Sequence, residues 1–329
     1  MKRYMANGEG KFIIDKKAGG ESGEAVKVRV TKVIPTRSDL DIFLGKADIK
    51  YPFMPCHMAV GLISEDRQEF GLKRGNKVIL NPYVVMHADK DEVCPETKIY
   101  GADMDGFLAD FIDMPPENIV VFPEEVKEEE AVFTEYIAMS LSAINCFKIE
   151  KGDYIAIIGG SPLCNITAQL SLYFQAIPIV IDHSADRLAK ARECGVYYTV
   201  NTAKESPQER VLEITGGRMA DHTILESEAG AVPHYLFTLT KNGGDCVIMS
   251  VHSYPNALEA DINLINRKQL EVRGVSNGAH EFNSAVYILA QKILKLAPLI
   301  EKSHKAENLE EVFTALSQRS YGMANIIEI

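Results

Sequence analysis

The 329-residue chain has no tryptophan, only six cysteines and no cluster of basic residues. No two cysteines have the C-x-x-C spacing of a zinc ribbon or a redox motif, so we expect reduced, mostly buried thiols rather than disulfides. The formal net charge is -11, and the chain lacks the basic patches that bind nucleic acids or anionic membranes. We therefore expect a small-molecule partner.

Long apolar stretches are also missing. The first residues, MKRYMANGEGKFIIDKK, contain no apolar signal-peptide core, and runs such as Ile155 to Ile158 are far too short to cross a bilayer. We therefore expect a cytoplasmic protein. The composition, 46% hydrophobic and 25% charged residues, is that of an ordinary globular protein, and the length predicts about two domains.

The two halves of the chain differ in their hydrophobic pattern. Between Val26 and about Pro123 the sequence consists of short β-type runs separated by turns, which predicts a small sheet-rich or barrel-like domain. Beyond it, strand-like and helix-like segments alternate, which predicts a doubly wound parallel sheet. The pair Gly243 and Gly244 indicates a turn between the last helix and strand of this sheet. The end of the chain predicts two apolar helices and a final strand, NIIEI.

A glycine-rich turn follows the strand-like segment YIAII. It reads Gly159-Gly160-Ser161-Pro162-Leu163-Cys164 and opens a helix, and Asp182 closes the next strand. In this context the backbone N–H groups of the turn and the helix N-terminus bind a pyrophosphate, and the carboxylate accepts hydrogen bonds from a ribose diol. Ser161 and Cys164 replace the second and third glycines of the G-x-G-x-x-G fingerprint. We therefore expect weakened rather than abolished binding.

Asp182 also bears on the choice of cofactor. A carboxylate at this position repels the 2′-phosphate of NADP, so the sequence predicts a preference for NAD. His183 and Arg187 are close to Asp182 in sequence, and their positive charge would weaken this preference. Arg187 either lies along the adenine side of the cofactor or is a solvated helix residue. A doubly wound domain that has lost its nucleotide is the remaining alternative.

The order of these segments resembles that of the medium-chain dehydrogenase/reductase family, which includes the zinc alcohol, threonine and sorbitol dehydrogenases. The resemblance covers nearly the whole chain, and six ordered segments carry it: TRSDLDIF, YPFMPCHMAVG, FTEYIAMSLSAI, GGRMADHTILESEAG, KNGGDCVIMS and RKQLEVRGVSNG. It implies an α/β chain with a GroES-like domain at 1–138 and 279–329 and a Rossmann dinucleotide-binding domain at 139–278. It also implies hydride transfer between nicotinamide and a secondary alcohol or ketone.

The family's catalytic zinc acts as a Lewis acid on the alcohol or carbonyl oxygen. By resemblance, its cysteine ligand falls on Thr36, its histidine on His57, the following glutamate on Met58 and the acidic residue of the linking helix on Glu135. Threonine and methionine are poor zinc ligands. A bound zinc would therefore need His57, Glu135 and a substitute ligand such as Cys56.

Other positions of the family's site are intact. Ser38 falls on the proton-relay hydroxyl, and Arg37 on a position that meets the cofactor pyrophosphate in some members. Ser38, His57 and Glu135 are therefore candidates for metal-free acid/base chemistry. The alternative is that His57 is a satisfied buried histidine and Glu135 a helix-cap or ion-pair residue. We expect no structural zinc, because the corresponding segment contains only Cys94.

Three functions are compatible with these features. The first is an NAD-dependent alcohol, polyol or amino-alcohol dehydrogenase, and the second is a zinc-free NAD(P)H reductase of carbonyls, enones or quinones. The third is a catalytically inactive nucleotide-binding sensor, which would explain the changes at Thr36, Met58, Ser161 and Cys164. By resemblance we also expect a homodimer or homotetramer, with the segments CVIMSV and LEVRGV supplying apolar strands for the interface.

Overall fold

A computed structural model describes the chain at residues 2–16, 25–86, 96–226, 234–249, 261–318 and 322–329. The segment with Cys94, on which the expectation about a structural zinc depends, lies outside these residues. The chain divides into two compact units. The first comprises Met1–Glu135, Ile300–Ser320 and Ala324–Ile329, and the second comprises Tyr136–Leu299 and Tyr321–Met323. No helix within the described ranges is long and apolar enough to cross a membrane.

The strands are, in chain order, β1 Arg3–Ala6, β2 Phe12–Asp15, β3 Val26–Ile34, β4 Met58–Ile63, β5 Lys77–Leu80, β6 Tyr83–Val85, β7 Thr97–Ile99, β8 Phe111–Met114, β9 Ile119–Val121, β10 Tyr154–Ile158, β11 Ile177–Asp182, β12 Tyr198–Asn201, β13 Ala220–Glu226, β14 Thr240–Met249, β15 Glu271–Val275, β16 Ile300–Lys305 and β17 Ala324–Glu328. The helices are α1 Arg37–Phe43, α2 Glu128–Ala131, α3 Thr134–Ile144, α4 Pro162–Tyr173, α5 Ala185–Glu193, α6 Pro207–Ile214, α7 His234–Thr238, α8 Ile262–Lys268, α9 Phe282–Ala290 and α10 Leu309–Ser317.

The first unit is built on a mainly antiparallel sheet. Its strand order within the described residues is β16-β17-β3-β4-β5-β9, and β8 also pairs with β3. Strand β3 alternates between the core and solvent, with Val26, Val28 and Val30 buried, because successive side chains of a strand point to opposite faces. The predicted sheet-rich domain is confirmed.

Helix α1 was not predicted, because seven residues are too few to show a helical period. Its last residue, Phe43, packs in an aromatic cluster with Phe12 of β2 and Phe313 of α10, at ring-centroid distances of 5.0 and 5.3 Å. Phe43 and Phe313 are completely buried. The cluster therefore fixes the carboxyl end of α1 against the core of the first unit.

The second unit is built on a parallel sheet of order β12-β11-β10-β13-β14-β15. The order reverses between β10 and β13, and this is the point at which doubly wound sheets bind ligands, outside the carboxyl ends of their strands. The prediction of a doubly wound parallel sheet is confirmed. All seven residues of β13 are buried, as expected for a central parallel strand covered on both faces.

Two local predictions differ from the structure. Gly243 and Gly244 lie within β14, which begins at Thr240, rather than in the turn before it. The pairing of β14 with β13 is irregular here, with a register shift between Ala220 and His222. At the end of the chain, α9, α10 and β17 agree with the expected two helices and final strand. Strand β16 was missed, because its largely exposed sequence IEKSHK lacks an apolar alternation.

The aromatic cluster predicts a large effect of one substitution. Phe313→Ala removes a completely buried ring and should lower the free energy of unfolding by about 3–5 kcal/mol. The adjacent, exposed Thr314→Ala is the matched control and should change it by less than about 0.5 kcal/mol. Urea denaturation followed by circular dichroism measures both. Equal midpoints for the two variants would show that the cluster does not stabilise the unit.

Candidate active site

The carboxylate of Asp39 joins two segments of the first unit. It is completely buried, and its Oδ2 accepts hydrogen bonds from the backbone N–H and the hydroxyl of Thr36, both at 2.7 Å. Its Oδ1 accepts the backbone N–H of Cys56 at 2.6 Å. The start of α1 and the residues that precede β4 are thereby held together. Asp39 lies three residues after Thr36, which is the capping-box spacing from which its role could have been found.

His57 lies at the centre of a buried polar network, and neither of its ring nitrogens faces an apolar side chain. Its Nδ1 is 2.5 Å from Oε2 of Glu135, and its Nε2 is 3.0 Å from Oγ1 of Thr36. Beyond Glu135, the hydroxyl of Tyr83 donates to Oε1 at 3.1 Å, and beyond Thr36, the hydroxyl of Ser38 is 2.8 Å away. Tyr83, Glu135, His57, Thr36 and Ser38 thus form one hydrogen-bonded chain, which we call the His57 network.

The donors in this network can be counted. Thr36 has one hydroxyl proton but three polar neighbours: Ser38, the Asp39 carboxylate and Nε2 of His57. When the hydroxyl donates to Asp39, Nε2 of His57 has to donate to Thr36. When it donates to His57 instead, Asp39 loses that donor. The Thr36 hydroxyl can therefore donate towards either Asp39 or His57, and its oxygen also lies within hydrogen-bonding distance of Ser38.

The donor set at this place does not fit the family's catalytic zinc. Thr36 offers a neutral hydroxyl that is already bonded to three neighbours, and both ring nitrogens of His57 are engaged by side chains. Burial raises the pKa of the Cys56 thiol well above its usual value, and the charge of Asp39 adds to this. Within the described part of the chain, no three histidine, cysteine or acidic side chains are grouped to hold a metal ion.

The glycine-rich turn of the second unit has the shape that a dinucleotide requires. Gly159 has a φ of 127°, a conformation that other residues rarely adopt. A Cβ on Gly160 would lie 3.0 Å from Cβ of Arg187 and 3.1 Å from Oδ2 of Asp182, so only glycine fits there without displacement. Ser161 is the N-cap of α4, whose first residues are Pro162 and Leu163, so the helix N-terminus opens at the turn. This arrangement fits a nicotinamide dinucleotide.

Asp182 and Arg187 form a buried ion pair beside this turn. Oδ1 of Asp182 accepts from Nε and from a terminal nitrogen of Arg187 at 3.1 and 2.8 Å, and from the backbone N–H of Ser184 at 2.7 Å. Arg187 is only 5% exposed, so it is not a solvated helix residue. His183 is exposed, with its Nδ1 3.7 Å from Asp182. Asp182 thus lies where the sequence places it, next to the glycine-rich turn.

Ser161 and Cys164, which stand where the fingerprint has glycines, both contact the carboxyl group of Glu226. The Ser161 hydroxyl donates to Oε1 of Glu226 at 2.7 Å, and the Cys164 thiol lies 3.1 Å from Oε2 of the same carboxyl group. Sequence reasoning missed Glu226, although it is the next-to-last residue of the predicted strand HTILES and the last residue of β13, on the edge where the parallel strands terminate. Tyr83 was also missed, and nothing in the sequence around it marks a role. Arg37 is partly exposed and pairs with Asp41 at 3.4 Å.

Comparison with known proteins accounts for both units. Residues 22–124 match the alcohol dehydrogenase GroES-like domain, and residues 162–291 match the zinc-binding dehydrogenase domain. A zinc-type alcohol dehydrogenase-like protein of Haemophilus influenzae is 26% identical, with 90% of this chain and 89% of that protein aligned. L-threonine 3-dehydrogenase of Pyrococcus abyssi is also 26% identical, over 95% of this chain and 93% of that enzyme.

The fold is shared with solved structures over the full length. The crystal structure of 2R,3R-butanediol dehydrogenase from Bacillus subtilis superimposes with a TM-score of 0.86 at 20% identity. The alignment covers 100% of this chain and 99% of that one. The chain therefore shares the fold of this dehydrogenase.

The donor set predicts the metal content of the purified protein. Zinc measured by plasma mass spectrometry should stay far below one ion per chain, because the hydroxyl of Thr36 cannot replace a thiolate ligand. Thr36→Cys places a thiol beside Nε2 of His57 and should raise the zinc content in zinc-supplemented medium. Stoichiometric zinc in the unaltered protein would contradict the prediction.

The glycine-rich turn predicts the effect of one added methyl group. Gly160→Ala should weaken NADH binding about tenfold, because its Cβ would lie 3.0–3.1 Å from Arg187 and Asp182, so the turn or this pair has to shift by a few tenths of an ångström. Gly274→Ala is the matched control, since a Cβ at Gly274 meets no atom within 4 Å. Fluorescence titration with NADH measures both. Equal dissociation constants for the two variants would show that the turn does not hold the cofactor.

Proposed function

The chain belongs to the medium-chain dehydrogenase/reductase family, and from this premise we propose that it transfers hydride between NAD and a secondary alcohol or ketone. It is an NAD(P)-dependent oxidoreductase with a GroES-like and a Rossmann domain. The observation that carries the proposal is the His57 network, which retains polar groups able to donate and accept protons although two zinc-ligand positions have changed.

The substrate class follows from chemistry that the relatives have in common. Carbon 3 of threonine and both alcohol carbons of 2,3-butanediol carry secondary hydroxyl groups. Oxidation of a secondary alcohol yields a ketone, and the reverse reaction consumes one hydride and one proton. The bound nicotinamide supplies or accepts the hydride. The protein has to supply or accept the proton, and the His57 network has groups suited to this task.

In this proposal Ser38 is the group that meets the reacting oxygen. During ketone reduction its hydroxyl donates a proton to that oxygen, and Thr36 replaces the proton from His57. Glu135 stabilises the imidazolium form of His57, while Tyr83 orients Glu135. His57 has no exposed surface, so it acts through Thr36 and Ser38 rather than on the substrate directly. No metal is needed for this sequence of proton transfers.

We propose NAD rather than NADP as the cofactor. The support is the carboxylate of Asp182, whose Oδ2 faces the glycine-rich turn and would repel a 2′-phosphate. The Asp182–Arg187 ion pair holds this carboxylate in place. Gly159, Gly160, Ser161, Pro162 and Leu163 would hold the pyrophosphate.

We also propose that the protein is a cytoplasmic homo-oligomer. Five cysteines within the described residues form no disulfide, which suits a reducing compartment. The first four residues of β15, an edge strand of the parallel sheet, are exposed. An exposed edge with unpaired backbone groups can pair with the same edge of a second chain, which yields a symmetric dimer.

Ser38→Ala tests the proposed proton donor. It should lower kcat for ketone reduction by about 10²-fold, the usual contribution of a positioned acid, while leaving the dissociation constant of NADH unchanged. Ser303→Ala, at an exposed position in β16, is the matched control and should keep full activity. Steady-state rates with NADH and a panel of ketones and enones, together with NADH fluorescence titration, give both quantities.

The outcomes of this test separate the possible functions. A fully active Ser38→Ala variant would rule out Ser38 as the proton donor. Turnover of enones but of no ketone would favour a reductase of activated double bonds. NADH binding without turnover of any substrate would contradict the proposed enzyme activity and favour a nucleotide-binding sensor.

A further inference from the structure

The carboxyl group of Glu226 lies against the turn that receives the cofactor pyrophosphate. Glu226 ends β13 and is 5% exposed. Ser161 donates to one of its oxygens at 2.7 Å, and Cys164 donates to the other at 3.1 Å. Both donors belong to the glycine-rich turn and the first turn of α4. A buried carboxyl group is therefore hydrogen-bonded to two side chains of the segment that has to accommodate the doubly negative pyrophosphate.

This attachment depends on residues in which the chain departs from the dinucleotide fingerprint. Glycine has no side chain to donate, so a turn with glycines in place of Ser161 and Cys164 could not hold Glu226 in this way. Oγ of Ser161 also accepts the backbone N–H of Cys164 at 3.1 Å. The one hydroxyl proton of Ser161 goes to Glu226, so it is not available to a phosphate oxygen.

The charges that face Glu226 leave its own charge poorly compensated. The cation whose charge acts on Glu226 is Arg187, but its guanidinium is already paired with Asp182. No ion pair of Glu226 is found among the described residues. Burial raises the pKa of the Glu226 carboxyl and the charge of Asp182 adds to this, whereas Ser161, Cys164 and Arg187 lower it. An ionised Glu226 would repel a pyrophosphate bound at the N-terminus of α4.

We propose that the protein takes up one proton at Glu226 when it binds the nicotinamide dinucleotide, so that its affinity for the cofactor falls as the pH rises. The inference rests on the proposed function, because it assigns the glycine-rich turn to a dinucleotide. The proton comes from solvent and returns to solvent when the cofactor leaves. The protonated carboxyl group donates to Oγ of Ser161, and the Ser161 hydroxyl proton is then free to bond a phosphate oxygen.

The sign of the pH dependence follows from linkage. Binding of the dianion raises the pKa of Glu226, so affinity is constant below the pKa of the free protein and decreases above it. The decrease approaches about tenfold per pH unit when the ionised form binds much more weakly. It ends above the pKa of the complex.

The test is the dissociation constant of NADH, measured by fluorescence titration between pH 6 and 9 for the unaltered protein and for Glu226→Gln. The unaltered protein should bind more weakly at pH 9 than at pH 6. Glu226→Gln carries no charge, so its affinity should be independent of pH and higher than that of the unaltered protein at pH 9. Glu209→Gln, an exposed substitution in the same unit that removes the same charge, should behave like the unaltered protein.

Two further measurements keep the test decisive. Titration calorimetry in two buffers of different ionisation enthalpy, at a pH where the affinity of the unaltered protein is falling, should show uptake of up to one proton per NADH bound, and this result does not depend on the folding of any variant. Adenosine, which has no pyrophosphate, should bind without proton uptake at Glu226.

The results distinguish this inference from the proposed function. The same pH dependence in Glu226→Gln and the unaltered protein, or no proton uptake by the unaltered protein, would overturn the inference while leaving the dehydrogenase assignment intact. Failure of the unaltered protein to bind NADH at any pH would overturn the assignment of the turn to a dinucleotide, and the inference with it.

Discussion

The buried carboxylate of Asp39 is the interaction on which the first site depends. It accepts two hydrogen bonds from Thr36 and one from Cys56, so it joins the N-terminus of α1 to the segment that enters β4. Without it, the hydroxyl of Thr36 and the ring of His57 would have no common anchor. Because charge-assisted hydrogen bonds are strong and an unpaired buried carboxylate is costly, this arrangement strongly favours a single geometry. The polar chain from Tyr83 to Ser38 follows from it.

Both sites compensate their departures from the family pattern in the same manner. In the first unit, Thr36 stands by resemblance at the position of a zinc ligand, and its hydroxyl is held by Asp39 and His57. In the second unit, Ser161 and Cys164 replace glycines and are held by Glu226. Each new polar side chain is buried, and each finds a carboxylate as its partner, as buried polar groups require. A site that had lost its function without compensation would leave such buried polar groups without hydrogen-bond partners. The side chains of Thr36, Ser161 and Cys164 all have such partners.

The parts of the fold that could be predicted are those with a long-range pattern. The strand and helix alternation of the second unit, the valines of β3 and the turn at Gly159 all follow from periodicity or from the steric needs of a tight turn. Helix α1 and strand β16 could not be predicted in this way. One is too short to show a period, and the other is largely exposed.

The sequence by itself determined the two-domain architecture, the position of the dinucleotide turn and the set Thr36, Ser38, His57 and Glu135, because ordered motifs along the chain carry this information. Only the tertiary structure decided what these residues do to one another. His57 and Glu135 are 78 positions apart, and Ser161 and Glu226 are 65 apart. Hydrogen bonds over such separations depend on where the strands end in space. The His57 network and the hydrogen bonds of Glu226 to the glycine-rich turn are therefore properties of the fold.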